Sequence, residues 1–435
     1  MSSSKFSALA VVVCLLGASF YMYEFILQVS LGVMTNELMR DLSLNAASLG
    51  IVSAFFYYAY MPMQIPAGLL HDRFGPRRIL TFAILVCAFG ALFFSFSYSM
   101  WLASAGRFMM GMGAAFSFSG ALMLIARWFP AGYFPVMTGV VQLMSSIGAI
   151  TGELPLAIAI HRWEWRPTML YLALLGIGLA CLVWLIVRDF PPGHAATPYS
   201  PGDRHRPAHQ GDAIRLSRVF GRMQSWWVAL YSFLIWAPIA AFAGLWGVPF
   251  LSAAYHITIA NASMACAAIW IGIGFGCPFI GWLSERIRRR LVVLTTCGVL
   301  GIIGSILTIF FILPTPLLYL SLFMLGCAGS GQSLAFSVVR DSNHPSLIGA
   351  AIGLNNMATV AGGAILQPII GIILHKNWSG TMADGSPFYT LNDYRFALFI
   401  IPVSYVLATF ISLYFIKETY CQQAFSHYPK EGHLH

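Results

Sequence analysis

The feature that most restricts this chain is the recurrence of long apolar runs, each near or above the roughly 20 residues an α-helix needs to cross about 30 Å of hydrocarbon. Twelve can be delimited, at about 8–35, 45–70, 77–97, 99–127, 133–160, 166–188, 224–254, 259–284, 290–312, 315–340, 347–376 and 394–417. They are called spans 1 to 12. Only 9% of the 435 residues are charged and the mean hydropathy is +0.76, against roughly 25% charged residues in a soluble domain. That is too little charge to cover a soluble surface, so an integral membrane protein is expected, with the lipid bilayer as its first partner. The first run is too long for a signal peptide and is expected to be retained.

The net charge of +9 looks like a signal for an anionic partner, but its distribution explains it. With the N-terminus placed inside, eighteen of the 24 Lys and Arg residues fall in inside segments. Five fall outside (Arg40, Arg162, Arg166, Lys376 and Arg395), and Arg107 lies within a span. Such a bias places both termini in the cytoplasm. The basic balance therefore reports topology, and no nucleic acid is expected. Seven of the eight cysteines sit inside apolar runs and only Cys421 lies outside them. They read as packing residues, and neither metal nor cofactor is expected.

The longest break, 189–222, contains Pro191, Pro192, Pro198, Pro201 and Pro207 among Gly, His and Arg. It reads as a cytoplasmic linker between a six-span bundle at 1–188 and another at 223–435 with a short tail. Two sequences support duplication. After span 2 stands Gly68-Leu-Leu-His-Asp72-Arg73-Phe-Gly75-Pro-Arg77-Arg78, and after span 8 stands Gly281-Trp-Leu-Ser-Glu285-Arg286-Ile-Arg288-Arg289-Arg290. Both read Gly-x-x-x-acid-Arg-x-x-x-Arg at the same place in each half. The expected fold is thus all-α, twelve transmembrane helices in two pseudo-symmetric six-helix bundles.

On these residues the chain resembles the major facilitator superfamily, whose signature loop lies between spans 2 and 3. Arg107-Phe-Met-Met-Gly111-Met-Gly113 on span 4 is similar to a second family motif. Span 5 carries Gly148-Ala-Ile-Thr-Gly152 but lacks the Gly-Pro pair of the antiporters. The stretch Gln64-Ile-Pro-Ala-Gly-Leu-Leu-His-Asp72-Arg73 resembles the bacterial branch that takes up organic anions and amino acids, including phagosomal amino-acid transporters. The resemblance implies secondary transport by alternating access. In physical terms, Asp72 would face the positive N-terminus of span 11 near Ser346 and Leu347, and Glu285 that of span 5. These contacts would hold the inside closed, while the loop arginines would anchor topology.

Three charges remain at membrane depth, Glu24, Arg107 and Glu153, all in the first half. A charge in the bilayer costs several kcal/mol unless paired or hydrated. Arg107 and Glu153 lie at similar depth on neighbouring spans and are expected to pair. Helical spacing puts Gly17, Tyr21, Glu24 and Gln28 on one face of span 1, and Gln142, Ser146, Ala149 and Glu153 on one face of span 5. Span 11 offers Asn356, Thr359, Gly363 and Gln367, with Asn355 adjacent. Tyr57 and Tyr58 on span 2, Trp236 on span 7 and Gln332 on span 10 complete the candidate binding residues.

Two acids against one guanidinium leave one negative charge over, so Glu24 is expected to carry a proton, with Glu153 as its partner in coupling. Arg107 suits a substrate carboxylate through its planar fork, in competition with Glu153. The expected activity is proton-coupled transport of a small anionic or zwitterionic solute (an amino acid, short peptide or organic acid) by a monomer in a bacterial inner membrane. A drug or siderophore exporter and a non-transporting sensor are the alternatives. No Gly-x4-Gly-Lys-Ser/Thr loop is present, and no enzymatic activity is expected.

Overall fold

The structure, a computed structural model, describes residues 8–130, 133–191, 221–344 and 347–422; the side chains at positions 65, 68, 69, 72 and 135 lie outside the description. Twelve helical spans are present among these residues. Their ends lie within a few residues of the apolar runs, because the run of apolar side chains itself sets where a helix can leave hydrocarbon. The expected linker lies largely outside the described residues.

The two halves repeat down to element lengths. Spans 2 and 8 are unbroken helices of 29 residues, Ala46–Phe74 and Ile259–Ile287. Spans 5 and 11 are helices of 30 residues, Phe134–Trp163 and Ile348–Asn377. Span 4 breaks into Met100–Ala114 and Ser117–Trp128, and span 10 breaks into Thr315–Gly329 and Gly331–Ser342. Spans 1 and 7 both lose regular α geometry towards their second ends, through a 3₁₀ turn at Ser30–Val33 and a π turn at Phe242–Trp246. The fold is two pseudo-symmetric six-helix bundles.

Glycine fixes the bundle interiors at repeated positions. Gly111 on span 4 lies against the Phe56 carbonyl of span 2, and Gly326 on span 10 lies against the Ile269 carbonyl of span 8. Any Cβ there would strike backbone, which cannot swing aside as a side chain can. Gly111→Val and Gly326→Val are therefore expected to cost about 3 kcal/mol or more each. Thermal unfolding in detergent and the loss of a monodisperse peak would read it; wild-type stability in both would show that the bundles can splay.

The halves meet along two seams, span 5 against span 8 and span 2 against span 11. On the face opposite the termini (the far face) both seams are shut. Gly371 lies against the Ala46 carbonyl, and a Cβ on Gly50 would stand 2.7 Å from Gln367 O. The Ala46 N–H donates to the Tyr389 hydroxyl at 3.0 Å, and the Asn45 amide meets His375 Nε2 at 3.4 Å. Halfway down, a Cβ on Gly274 would stand 3.3 Å from Ser146 Oγ, and Gly363 lies on the Tyr57 ring. Towards the terminal face, Gly139 and Gly281 on one seam and Gly349 and Gly353 on the other have nothing among the described residues within 4 Å of an added Cβ. Among the described residues the halves thus form a V, closed at the far face and wider at the face bearing the chain ends.

Candidate functional site

Arg107 is fully buried at 0% exposure, so its charge needs a fixed environment. Span 1 supplies it. Its α-helix ends at Val29 before the 3₁₀ turn, and the carbonyls of a last helical turn lack helical partners. Arg107 Nη1 donates to Leu27 O at 2.6 Å and Nη2 donates to Gln28 O at 3.3 Å. The guanidinium also lies 4.8 Å from the Phe56 ring centroid. A cation at a helix C-terminus and over an aromatic face is stabilised by both. Arg107 is thus the cap of span 1.

The pair expected between Arg107 and Glu153 does not form, and this corrects the reading from depth alone. Glu153, 1% exposed, reaches into the seam instead, where Oε1 accepts a hydrogen bond from Trp270 Nε1 of span 8 at 3.0 Å. Its Oε2 is buried without a partner. Glu24, also 1% exposed, has Ser117 beside it, the first residue of the lower helix of span 4. An acid there meets the positive end of a helix dipole. Its Oε2 too has no partner. The three charges therefore occupy three separate surroundings, all buried, rather than one shared watery pathway.

The polar stripe on span 1 faces its own half. Gly17 lies against Leu124 and Ala121, Tyr21 packs on Phe118 at 5.3 Å between ring centroids, and Gln28 Nε2 donates to the Tyr57 hydroxyl at 3.1 Å. Tyr57 also has the Gln367 carboxamide beside it, so it ties spans 1, 2 and 11 together. Tyr58, 40% exposed and packed on Phe55, does not join this cluster. Gln142, Trp236, Gln332 and Asn356 are half-buried, as the walls of an open cleft would be. Asn355 is fully buried, its Oδ1 accepting from Ser232 Oγ at 2.8 Å while its Nδ2 has no partner. The Thr359 hydroxyl is spent on Asn355 O at 2.9 Å.

Several of these residues are repeat mates. Tyr21 and Trp236 each stand 13 residues past the first residue of spans 1 and 7, and Gln142 and Asn356 each stand 8 past that of spans 5 and 11. Each half therefore carries an aromatic ring and a neutral amide at matching positions. The charges have no such mates, since the positions matching Glu24 and Arg107 are Ile239 and Leu322.

At the terminal face the two loop motifs are built alike, with an acid that sequence reasoning missed. The Asp189 carboxylate accepts from Arg77 N at 2.9 Å, and Glu418 accepts from Arg290 N at 2.8 Å and Leu291 N at 2.9 Å. Each caps the start of span 3 or span 9 and follows the last span of its half, a placement that repeat comparison could have revealed. Gly75 turns the first loop at φ 82°, and Arg288 takes the same place at φ 55°. Arg77 also stacks on Trp184 and donates to its carbonyl. Arg290 is buried against Asp341 at 3.2 Å and Ser284 at 2.6 Å, so it is more than a surface anchor. Arg73, Arg78, Glu285 and Arg286 are exposed. Among the described residues Glu285 makes no hydrogen bond or ion pair with the start of span 5, of which residues 131–132 and the side chain at 135 lie outside the description. The side chains of Gly68 and Asp72, and Ser346 with them, lie outside the described residues.

Comparison with known proteins agrees with this architecture. The sequence profile of the Major Facilitator Superfamily matches residues 9–249 and 239–427. A probable sulfoacetate transporter of Cupriavidus necator, SauU, is 25% identical over 292 residues, 64% of this chain and 65% of that protein. A probable hexose phosphate transport protein of Chlamydia pneumoniae is 22% identical over 62% of this chain and 63% of its own length. The matched stretches thus cover less than two thirds of those two relatives. The probable galactarate/D-glucarate transporter GudP of Escherichia coli is 23% identical over 79% of this chain and 82% of its own. Among solved structures, a bacterial homologue of the human lysosomal transporter Spinster, in an inward-facing and unoccupied conformation, superposes with TM-score 0.77 at 16% identity, covering 94% of this chain and 97% of that one.

Proposed function

Since the chain belongs to the major facilitator superfamily and is a multi-pass membrane transporter, we propose that it moves a small organic anion together with a proton. The halves 1–188 and 223–435 would rock about the linker 189–222. On the positive-inside argument both termini are cytoplasmic, and the V is then the inward-open state. A monomer in a bacterial inner membrane is the proposed setting. The relatives named for sulfoacetate and for galactarate or D-glucarate support an acid bearing a carboxylate or sulfonate over an amino acid or peptide.

One observation carries the coupling: a carboxyl oxygen of Glu24 is buried with no donor, while the Arg107 guanidinium is already spent on backbone carbonyls. An anionic solute bound between the halves would feel the Glu24 charge with no free guanidinium to offset it. Like charges in low dielectric repel by several kcal/mol. A proton on Glu24 removes that repulsion, so solute and proton bind together or not at all. Tyr60 and Gln64, within electrostatic or hydrogen-bonding reach along span 2, lead from Glu24 towards the open end. Arg107 then serves the site by holding span 1, with no contact to solute required.

The test is uptake into proteoliposomes under an imposed pH gradient, with sulfonates, aldarates, amino acids and a panel of lipophilic drugs. Concentrative uptake of an organic acid that collapses with a protonophore is expected. A second reading, export of apolar compounds, draws on a lateral cavity of about 450 Å³ lined by Met61, Trp226, Phe233, Leu354, Met357 and Ile365. Movement of the drugs and none of the acids would favour it and overturn the first.

A further inference from the structure

The two seams carry the same construction at matching positions, with a single chemical difference. Glu153 and Gln367 each stand 19 residues past the first residue of spans 5 and 11. Their partners across the seam, Trp270 and Tyr57, each stand 11 past the first residue of spans 8 and 2. In both seams an aromatic hydrogen-bonding group of one half faces a carboxyl-shaped group of the other. On one side the group is an amide, fixed by its own bundle through Nε2 to Ala240 O at 2.8 Å. On the other it is an acid whose one donor comes from the opposite half.

From this asymmetry we infer that Glu153 and Trp270 form a proton-sensitive latch on the far-face seam, for which Gln367 and Tyr57 are the charge-free counterpart. The inference rests on alternating access but not on the proton role of Glu24. An ionised Glu153 in the shut seam would have one indole donor for two buried oxygens. A half-satisfied buried charge is costly. A proton taken from water onto Oε2 turns the carboxylate into a neutral acid that still accepts from Trp270 through Oε1. The shut seam therefore favours the protonated form. Opening the far face breaks the Trp270 bond and admits water, which favours the ionised form. Gln367 undergoes no such change, so the span 2–span 11 seam responds to closure but not to pH.

No neighbouring cation offsets the acid among the described residues. On span 8 the titratable neighbour is Cys266. Span 1 presents Ile26 and Val29 beside Gly152, while its Glu24 turns to Ser117. On span 4, Arg107 is held by Leu27 O and Gln28 O and Arg127 lies over Phe190. On span 6, Arg166 is bonded to Asp41 at 2.9 Å, and on span 5 itself Arg162 lies over Trp163. Glu153 therefore titrates on its own in the seam.

The experiment uses the full chain in lipid nanodiscs, with spin labels at the exposed far-face positions Arg162 and Asn261, which end span 5 and begin span 8. Without solute, the ratio of open to shut far face is expected to rise with pH, by up to about tenfold per unit between about pH 5 and 8, the limit for one proton. Glu153→Gln should remove that slope and remain shut. Gln367→Glu should steepen it towards about a hundredfold per unit by adding a second proton. A slope that survives Glu153→Gln or is absent from the wild type overturns the latch. Failure of proton-driven uptake with the slope intact would instead sink the transport reading alone.

Discussion

Glu24→Gln is expected to abolish uphill accumulation while leaving exchange of solute across the membrane intact. The amide keeps the shape of the carboxylic acid and cannot release a proton, so the variant resembles the protonated carrier. A symporter moving one proton per solute can concentrate it about tenfold per unit of pH gradient. The variant should equilibrate the solute and stop. Counterflow at equal pH, which needs no net proton movement, should keep a rate near that of the wild type. Accumulation that persists in Glu24→Gln and still responds to a protonophore would remove Glu24 from the coupling.

Arg107→Ala is expected to cost both stability and transport. The guanidinium joins span 4 to the end of the span 1 helix, and Ser30 Oγ remains as a second donor to Leu27 O only. Abandoning Gln28 O and leaving a void under Phe56 should cost on the order of 3 kcal/mol. A fall of several degrees in thermal unfolding would read it. Arg107→Lys should recover part of the loss, because a single ammonium cannot reach two carbonyls with the same fork geometry. The structural role makes a further demand: solute affinity measured in whatever folded fraction remains should change little. An Arg107→Ala protein of normal stability that has lost solute affinity would return Arg107 to the binding site.

The membrane architecture was legible because hydropathy is a property of consecutive residues. The repeat was legible in the loop motifs for the same reason, and the structure extends it to Gly111 with Gly326 and to Tyr21 with Trp236. The pairing of charges was not. Depth along a helix can be counted from sequence, which set Arg107 level with Glu153, but the direction of each side chain depends on how the helices rotate against their neighbours. The end of the span 1 α-helix at Val29, which frees the carbonyls that Arg107 caps, leaves no clear mark in the residues around it. The acids Asp189 and Glu418 were missed because their partners are backbone N–H groups, which every sequence contains.

The sequence by itself determined that the chain spans a membrane twelve times in two related halves and that its intramembrane charge lies in the first. Water and hydrocarbon impose those facts on each segment separately. Only the tertiary structure decided which charge meets which partner: Arg107 a helix end, Glu24 another, Glu153 the opposite half. Those contacts join residues up to 117 positions apart and exist only once the helices have packed.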